Sequence, residues 1–129
     1  MNVSFSEFLA KMGQWNYYKV KVSGQMTSSN VKSTCESNGF ENTCVGSESC
    51  AFSSSSCTVT ALTDCHNPMA DLSKQECNGE SPKDCQLLSD VFSYMHDWQS
   101  DSSCGSVNRV WCVKGRSYYN KWALCAKRV

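Results

Sequence analysis

Hydrophobic positions change period several times along the chain, and each change marks an element. Near the N-terminus Phe5, Phe8, Leu9 and Met12 lie three or four residues apart, the spacing of one helical face. Ser4 and Glu7 form a capping box ahead of them and Gly13 supplies a stop, which predicts a short helix within residues 1–14. The period then falls to two. Tyr18, Val20 and Val22 alternate with Tyr17, Lys19 and Lys21, the pattern of a half-buried strand that Ser23-Gly24 ends. A second helix is expected from about Ser28 to Asn38. Thr27 can cap it, Val31 and Cys35 share a face, and Gly39 gives a left-handed stop with Phe40 folding back on the last turn.

Glu41 to Ser56 is small, polar and serine-rich, and reads as loop; Cys57–Leu62 reads as a short strand. Asn67-Pro68 opens a helix with a cap and a proline at its first position, with Met69, Leu72 and Cys77 inward and Asn78-Gly79 as its end. Ser81-Pro82-Lys83-Asp84 repeats that opening. Cys85, Leu88, Phe92 and Met95 then form the most regular helical stripe in the chain, ending near Trp98. In the tail, Val107–Val113 and Tyr118–Lys127 are rich in β-formers around Lys114-Gly115-Arg116-Ser117, which predicts a hairpin. Within its second arm Tyr118, Asn120, Trp122, Leu124 and Ala126 share one face. The expected fold is one small disulfide-rich α+β domain over residues 1–129, with short antiparallel strands, about four short helices and long cysteine-tied loops.

Composition narrows the setting. Ten of the 129 residues are cysteine, and no two are separated by only two residues, so neither a zinc knuckle nor a thioredoxin-like motif is available. Five disulfides in an oxidising, secreted or extracellular setting is the economical reading. Ten cysteines allow about 945 pairings, which leaves the connectivity open. Hydrophobic residues make up 40 % of the chain, too many for disorder. No apolar run reaches the length of a membrane span, so membrane insertion is not expected. The N-terminus has neither the basic start nor the apolar stretch of a signal peptide, so a secreted chain would be in its processed form.

The formal net charge is zero, yet the charges are segregated. Residues 1–35 hold four lysines and one glutamate, residues 36–104 hold eleven carboxylates and two lysines, and residues 105–129 hold six cations and no carboxylate. Either the basic tail packs against the acidic middle, or it presents a surface to an anionic ligand.

Candidate chemistry is sparse. His96 beside Asp97 could serve a small secreted hydrolase, but the flanking motifs of secreted phospholipases A2 and of pancreatic ribonucleases are absent. The acids of the middle segment show no pair singled out for glycoside hydrolysis. Asp97 to Ser102 could supply oxygen ligands to calcium, without the spacing of an EF-hand loop; no other metal or cofactor is expected. There is no nucleophile elbow, phosphate-binding glycine loop or metalloprotease helix. Aromatic and basic residues say more. Arg109, Trp111, Arg116, Tyr118, Tyr119 and Lys121 interleave in the tail, where rings can cover the C–H faces of a sugar and cationic donors can meet hydroxyls or sulfates. Trp98 and the acidic loop beside it form a second candidate surface. Nucleic acid would use similar residues, but an oxidised extracellular chain of zero net charge is a poor partner for it.

The order of elements carries a resemblance. A strand with Tyr17-Tyr18-Lys19-Val20 leads through Met26-Thr27 into a helix bearing Cys35 and closed by Gly39. The chain finishes with Cys104, Cys112 and a strand Trp122-Ala123-Leu124-Cys125-Ala126-Lys127. This outline, about 50 residues at the two ends, resembles a C-type-lectin-like domain. The resemblance implies a Cys35–Cys125 disulfide and a long middle loop region that carries binding. The family's Trp-Ile-Gly, Glu-Pro-Asn, Gln-Pro-Asp and Trp-Asn-Asp motifs are absent, so no calcium ligand carries over. The expected function is non-enzymatic recognition of a glycan or extracellular glycoprotein. The alternatives are a hydrolase using His96 and a carboxylate, or an adhesive matrix module binding protein partners.

Overall fold

The structure, a computed structural model, describes residues 5–43, 68–95 and 100–129. Its frame is a mixed sheet of seven strands: β1 (Ser6–Met12), β2 (Trp15–Lys21), β3 (Glu41–Asn42), β4 (Val91–Ser93), β5 (Cys104–Val107), β6 (Val110–Lys114) and β7 (Trp122–Arg128). The order across the sheet is β1-β2-β7-β4-β5-β6, with β3 also pairing with β7. The β4–β7 pair is parallel and the others are antiparallel. Two α-helices, α1 (Ser28–Ser37) and α2 (Pro68–Glu76), accompany it. The fold is therefore a small, disulfide-containing α+β domain. Among the described residues there are two helices rather than four, and most of the expected cysteine-tied loop and the Cys57–Leu62 strand fall outside them.

Local signals fixed both helices where the sequence places them. The Thr27 hydroxyl accepts from Asn30 N, and Phe40 N returns to Cys35 O at 2.9 Å to close α1. Pro68 opens α2, and Asn78 and Gly79 follow it in left-handed conformations.

Three expectations are corrected. Residues 6–12, expected as part of an N-terminal helix, form β1. An isolated helix of that length is marginal in water, whereas the strand gains a full ladder to β2. Gly13, at φ +63°, opens the two-residue turn that sets Met12 opposite Trp15. Phe8 opposes Tyr18 and Ala10 opposes Tyr17, so Leu9 is an extra residue. That bulge buries Leu9 and Ala10 together, which imitates helical spacing in the sequence.

The stripe Cys85, Leu88, Phe92 and Met95 is buried throughout but is not a helix. Two short 3-10 turns, Pro82–Asp84 and Gln86–Leu88, give way at Asp90, whose φ is +64°, to strand β4. β4 is held from both sides: Asp90 N donates to Ser106 O, and Trp122 N donates to Asp90 O.

The tail is not one hairpin of 107–113 with 118–127. Asn108 and Arg109, both at positive φ, make the turn between β5 and β6, the twist that a two-residue hairpin turn requires. A 3-10 turn at Gly115–Ser117 follows, and β7 then enters the sheet centre between β2 and β4.

The sheet has a core on each face. On the first, Trp15, Tyr17, Leu124 and Ala126 pack with Leu9, Met69, Leu72, Leu88 and Val91. On the second, Val20, Val22, Ala123 and Cys125 pack with Met26, Val31, Cys35, Phe92 and Val107. The register shift between β5 and β6 sends Trp111 to the first core and Val113 to the second, although they are two residues apart. Each core has its own disulfide. Cys35–Cys125, the pairing that the lectin-like outline implies, spans 90 residues, and Cys77–Cys85 spans eight.

At the sheet's outer side, Phe8 of the edge strand β1 and Phe5 just before it are exposed. One of its carbonyls, that of Lys11, accepts from Gln75 Nε2 of α2 at 2.8 Å.

Candidate functional site

The tail residues expected to bind ligand are divided between the two ends of β6. Arg109 precedes the strand and Arg116 follows it, and five strand residues span about 16 Å.

At the Arg116 end, residues 115–121 are anchored to residues 24–26. Asn120 N donates to Gly24 O at 2.8 Å, and Gly24 N donates to Asn120 Oδ1 at 2.7 Å. Gln25 Nε2 donates to Arg116 O at 2.6 Å, and Met26 N to Tyr118 O at 2.9 Å. A seam of hydroxyls lies beneath. Ser103 Oγ donates to Met26 O, Ser102 Oγ accepts from Arg116 N, and Ser28 Oγ accepts from Met95 N. The backbone of this loop is thus fixed by neutral hydrogen bonds to distant segments. From it Tyr118 turns inward, its ring 5.7 Å from that of Phe92. Tyr119 turns outward and is 60 % exposed. Arg116 is exposed and makes no ion pair among the described residues. Lys121 Nζ lies 3.4 Å from Asp90 Oδ1.

At the other end is a polar cleft of about 260 Å³ lined by Lys83, Asp84, Gln86, Ser89, Asn108 and Arg109, among others. Asp84 is held between two cations, with Arg109 Nη2 at 2.9 Å and Lys83 Nζ at 3.0 Å. The hydrogen bond from Lys83, with Arg109 adding to it, keeps the Asp84 carboxyl below the usual carboxylate range despite some desolvation. The cations of this cleft are therefore already answered. Beyond it, Trp111 leans half-buried on the first core, and its buried Nε1 has no hydrogen-bond partner among the described residues.

Charge segregation is satisfied in part by contacts between the basic tail and the acidic middle, through Arg109–Asp84 and Lys121–Asp90. Two other tail cations lie over rings: Arg128 over Trp15 and Lys127 over Phe40. The fold also builds an aromatic and basic grouping that the reading of the tail left out, with Lys19 and Lys21 of β2 beside Trp122 of β7. Alternation in the sequence places both lysines on one strand face, but nothing local connects them to a residue a hundred positions later.

His96, Asp97 and Trp98 lie outside the described residues. Of the expected calcium segment, Asp101 turns to α1, where its O accepts from Ser28 N and its Oδ1 from Ser29 N. No cluster of three or more metal-ligating side chains occurs among the described residues, and no described helix is long and apolar enough to cross a membrane. Compared with models of protein families, with curated proteins and with solved structures, the chain matches none.

Proposed function

We propose that this protein is an extracellular, non-enzymatic recognition domain of lectin-like character that binds carbohydrate at the loop of residues 115–121. The observation that carries this reading is the exposed Tyr119 ring on a loop anchored by Gln25, Gly24 and Asn120, with the unpaired Arg116 three residues before it. A ring offers a flat apolar face to a pyranose, and a guanidinium offers several donors to hydroxyl or acidic groups. Because the loop is held before any ligand arrives, little ordering cost falls on binding. The end-to-end Cys35–Cys125 bond accords with a scaffold for recognition.

A glycan array on the oxidised protein tests this, read with calcium and with EDTA. Selective glycan binding is expected, with a loss of about tenfold or more in the Arg116→Ala/Tyr119→Ala double variant and no change in melting temperature. An array left blank by folded wild-type protein, or binding unaltered in the double variant, removes this surface.

A further inference from the structure

Trp122 opens β7 directly opposite Lys21 of β2, and Lys19 stands two residues along the same sheet face, about 6–7 Å away along the strand. Both ammonium groups converge on the indole. Lys19 Nζ is 4.6 Å and Lys21 Nζ 5.2 Å from the ring centroid. Like charges beside one ring repel each other, and the electron-rich ring offsets part of that repulsion. Acid compensation is thin. Glu7 Oε2 reaches Lys19 Nζ only at 4.0 Å from an exposed position, and Lys21 makes no ion pair among the described residues. The contrast with Lys121 next door, matched by Asp90, is direct.

We propose that Lys19, Lys21 and Trp122 form a second binding site, for an anionic polysaccharide carrying sulfate or carboxylate groups. A bound anion gives the two ammonium groups a partner better than the ring. As they swing onto it they release the indole face, which can then take the C–H face of the adjoining sugar. Trp122 is half-buried against the first core, so the platform is rigid, with Lys21 exposed beside it and the Lys19 side chain 19 % exposed. Acidic peptides supply the charge but no flat face for the indole. The site shares no residue with the loop of residues 115–121, so each can fail without the other.

The test is affinity of the intact oxidised chain for immobilised heparin, compared with hyaluronate, polyglutamate and single-stranded DNA. Heparin binding is expected, weakened at least about tenfold by Lys19→Gln/Lys21→Gln. Trp122→Phe, which keeps every charge, is expected to cost about threefold. Lys83→Gln/Arg109→Gln, which removes the same charge elsewhere, and Arg116→Ala/Tyr119→Ala should each leave binding within about twofold. Hyaluronate binding that follows the same pattern of variants extends the ligand class to carboxylates; its absence confines the class to sulfates. The proposal is overturned by absence of heparin binding, by an equal loss in Lys83→Gln/Arg109→Gln, or by equal affinity for polyglutamate or DNA.

Discussion

The two faces of the sheet solve the same packing problem with different materials. The second face sets aliphatic side chains around Phe92, is closed by α1, and is knit by neutral hydroxyl-to-carbonyl bonds from Ser28, Ser102 and Ser103. Its disulfide joins the first helix to the last strand. The first face buries the phenol of Tyr17 and the indole nitrogen of Trp111, meets α2 and two short 3-10 turns, and carries a disulfide that closes only a local loop. One face is thus tied by a disulfide that spans most of the chain, with the phenols of Tyr94 and Tyr118 only half-buried at its margin. The other also gathers residues from Leu9 to Ala126, but its disulfide is local and a phenol lies fully buried at its centre.

The largest test of that contrast is the pair of disulfides. In the loop-closure model, replacing Cys35 and Cys125 with alanine lowers stability by about 4.5 kcal/mol, whereas the same change at Cys77 and Cys85 lowers it by about 2.5 kcal/mol. Denaturant titration of the two double variants measures the gap, and an equal loss in both would break the comparison. Next comes Gly115→Ala. A Cβ at Gly115 would overlap Met26 O and Ser103 Oγ, backbone and hydroxyl in the seam of the second face, where neither can withdraw. A loss of about 3 kcal/mol is expected in the same titration.

The smallest effect is on the first face, and it appears only in alkali. Burial foremost, and then the Asp71 carboxylate, push the Tyr17 phenol up to about 12. The folded state favours the neutral phenol, so this contribution is complete below pH ~10, where an unfolded tyrosine begins to ionise. It is lost as the pH rises towards 12, by about 2–3 kcal/mol in total. Melting temperature followed from pH 8 to 11.5 should fall in wild type and fall less steeply in Tyr17→Phe. Parallel curves would place the alkaline sensitivity elsewhere.

Elements written in adjacent residues were legible in the sequence, and elements made by distant partners were not. Thr27 with Gly39 and Phe40 delimits α1 because both caps are local, and Pro68 with Asn78-Gly79 does the same for α2. Cys85, Leu88, Phe92 and Met95 were legible as core residues but not as an element. Val91 and Phe92 are drawn into a strand by Trp122 and Ala123, some 30 residues later. The bulge at Leu9 disguised β1, and the turn at Asn108-Arg109 lacks the glycine that usually marks a hairpin. The site divides in the same way. Tyr119 beside Arg116 could be read from one short segment, whereas Lys19, Lys21 and Trp122 meet only because β7 returns to lie against β2.

An edge strand displaying Phe8, with Phe5 just before it, has the makings of a template on which other chains could stack. An incoming strand needs an unbroken row of amides and carbonyls at a constant rise. The extra residue at Leu9 breaks that rhythm, and the Gln75 side chain already occupies the Lys11 carbonyl beyond it. What remains regular is Ser6–Phe8, three residues and too short a landing for aggregation. A single helix-borne amide and one misplaced leucine therefore act as guards on this border of the sheet.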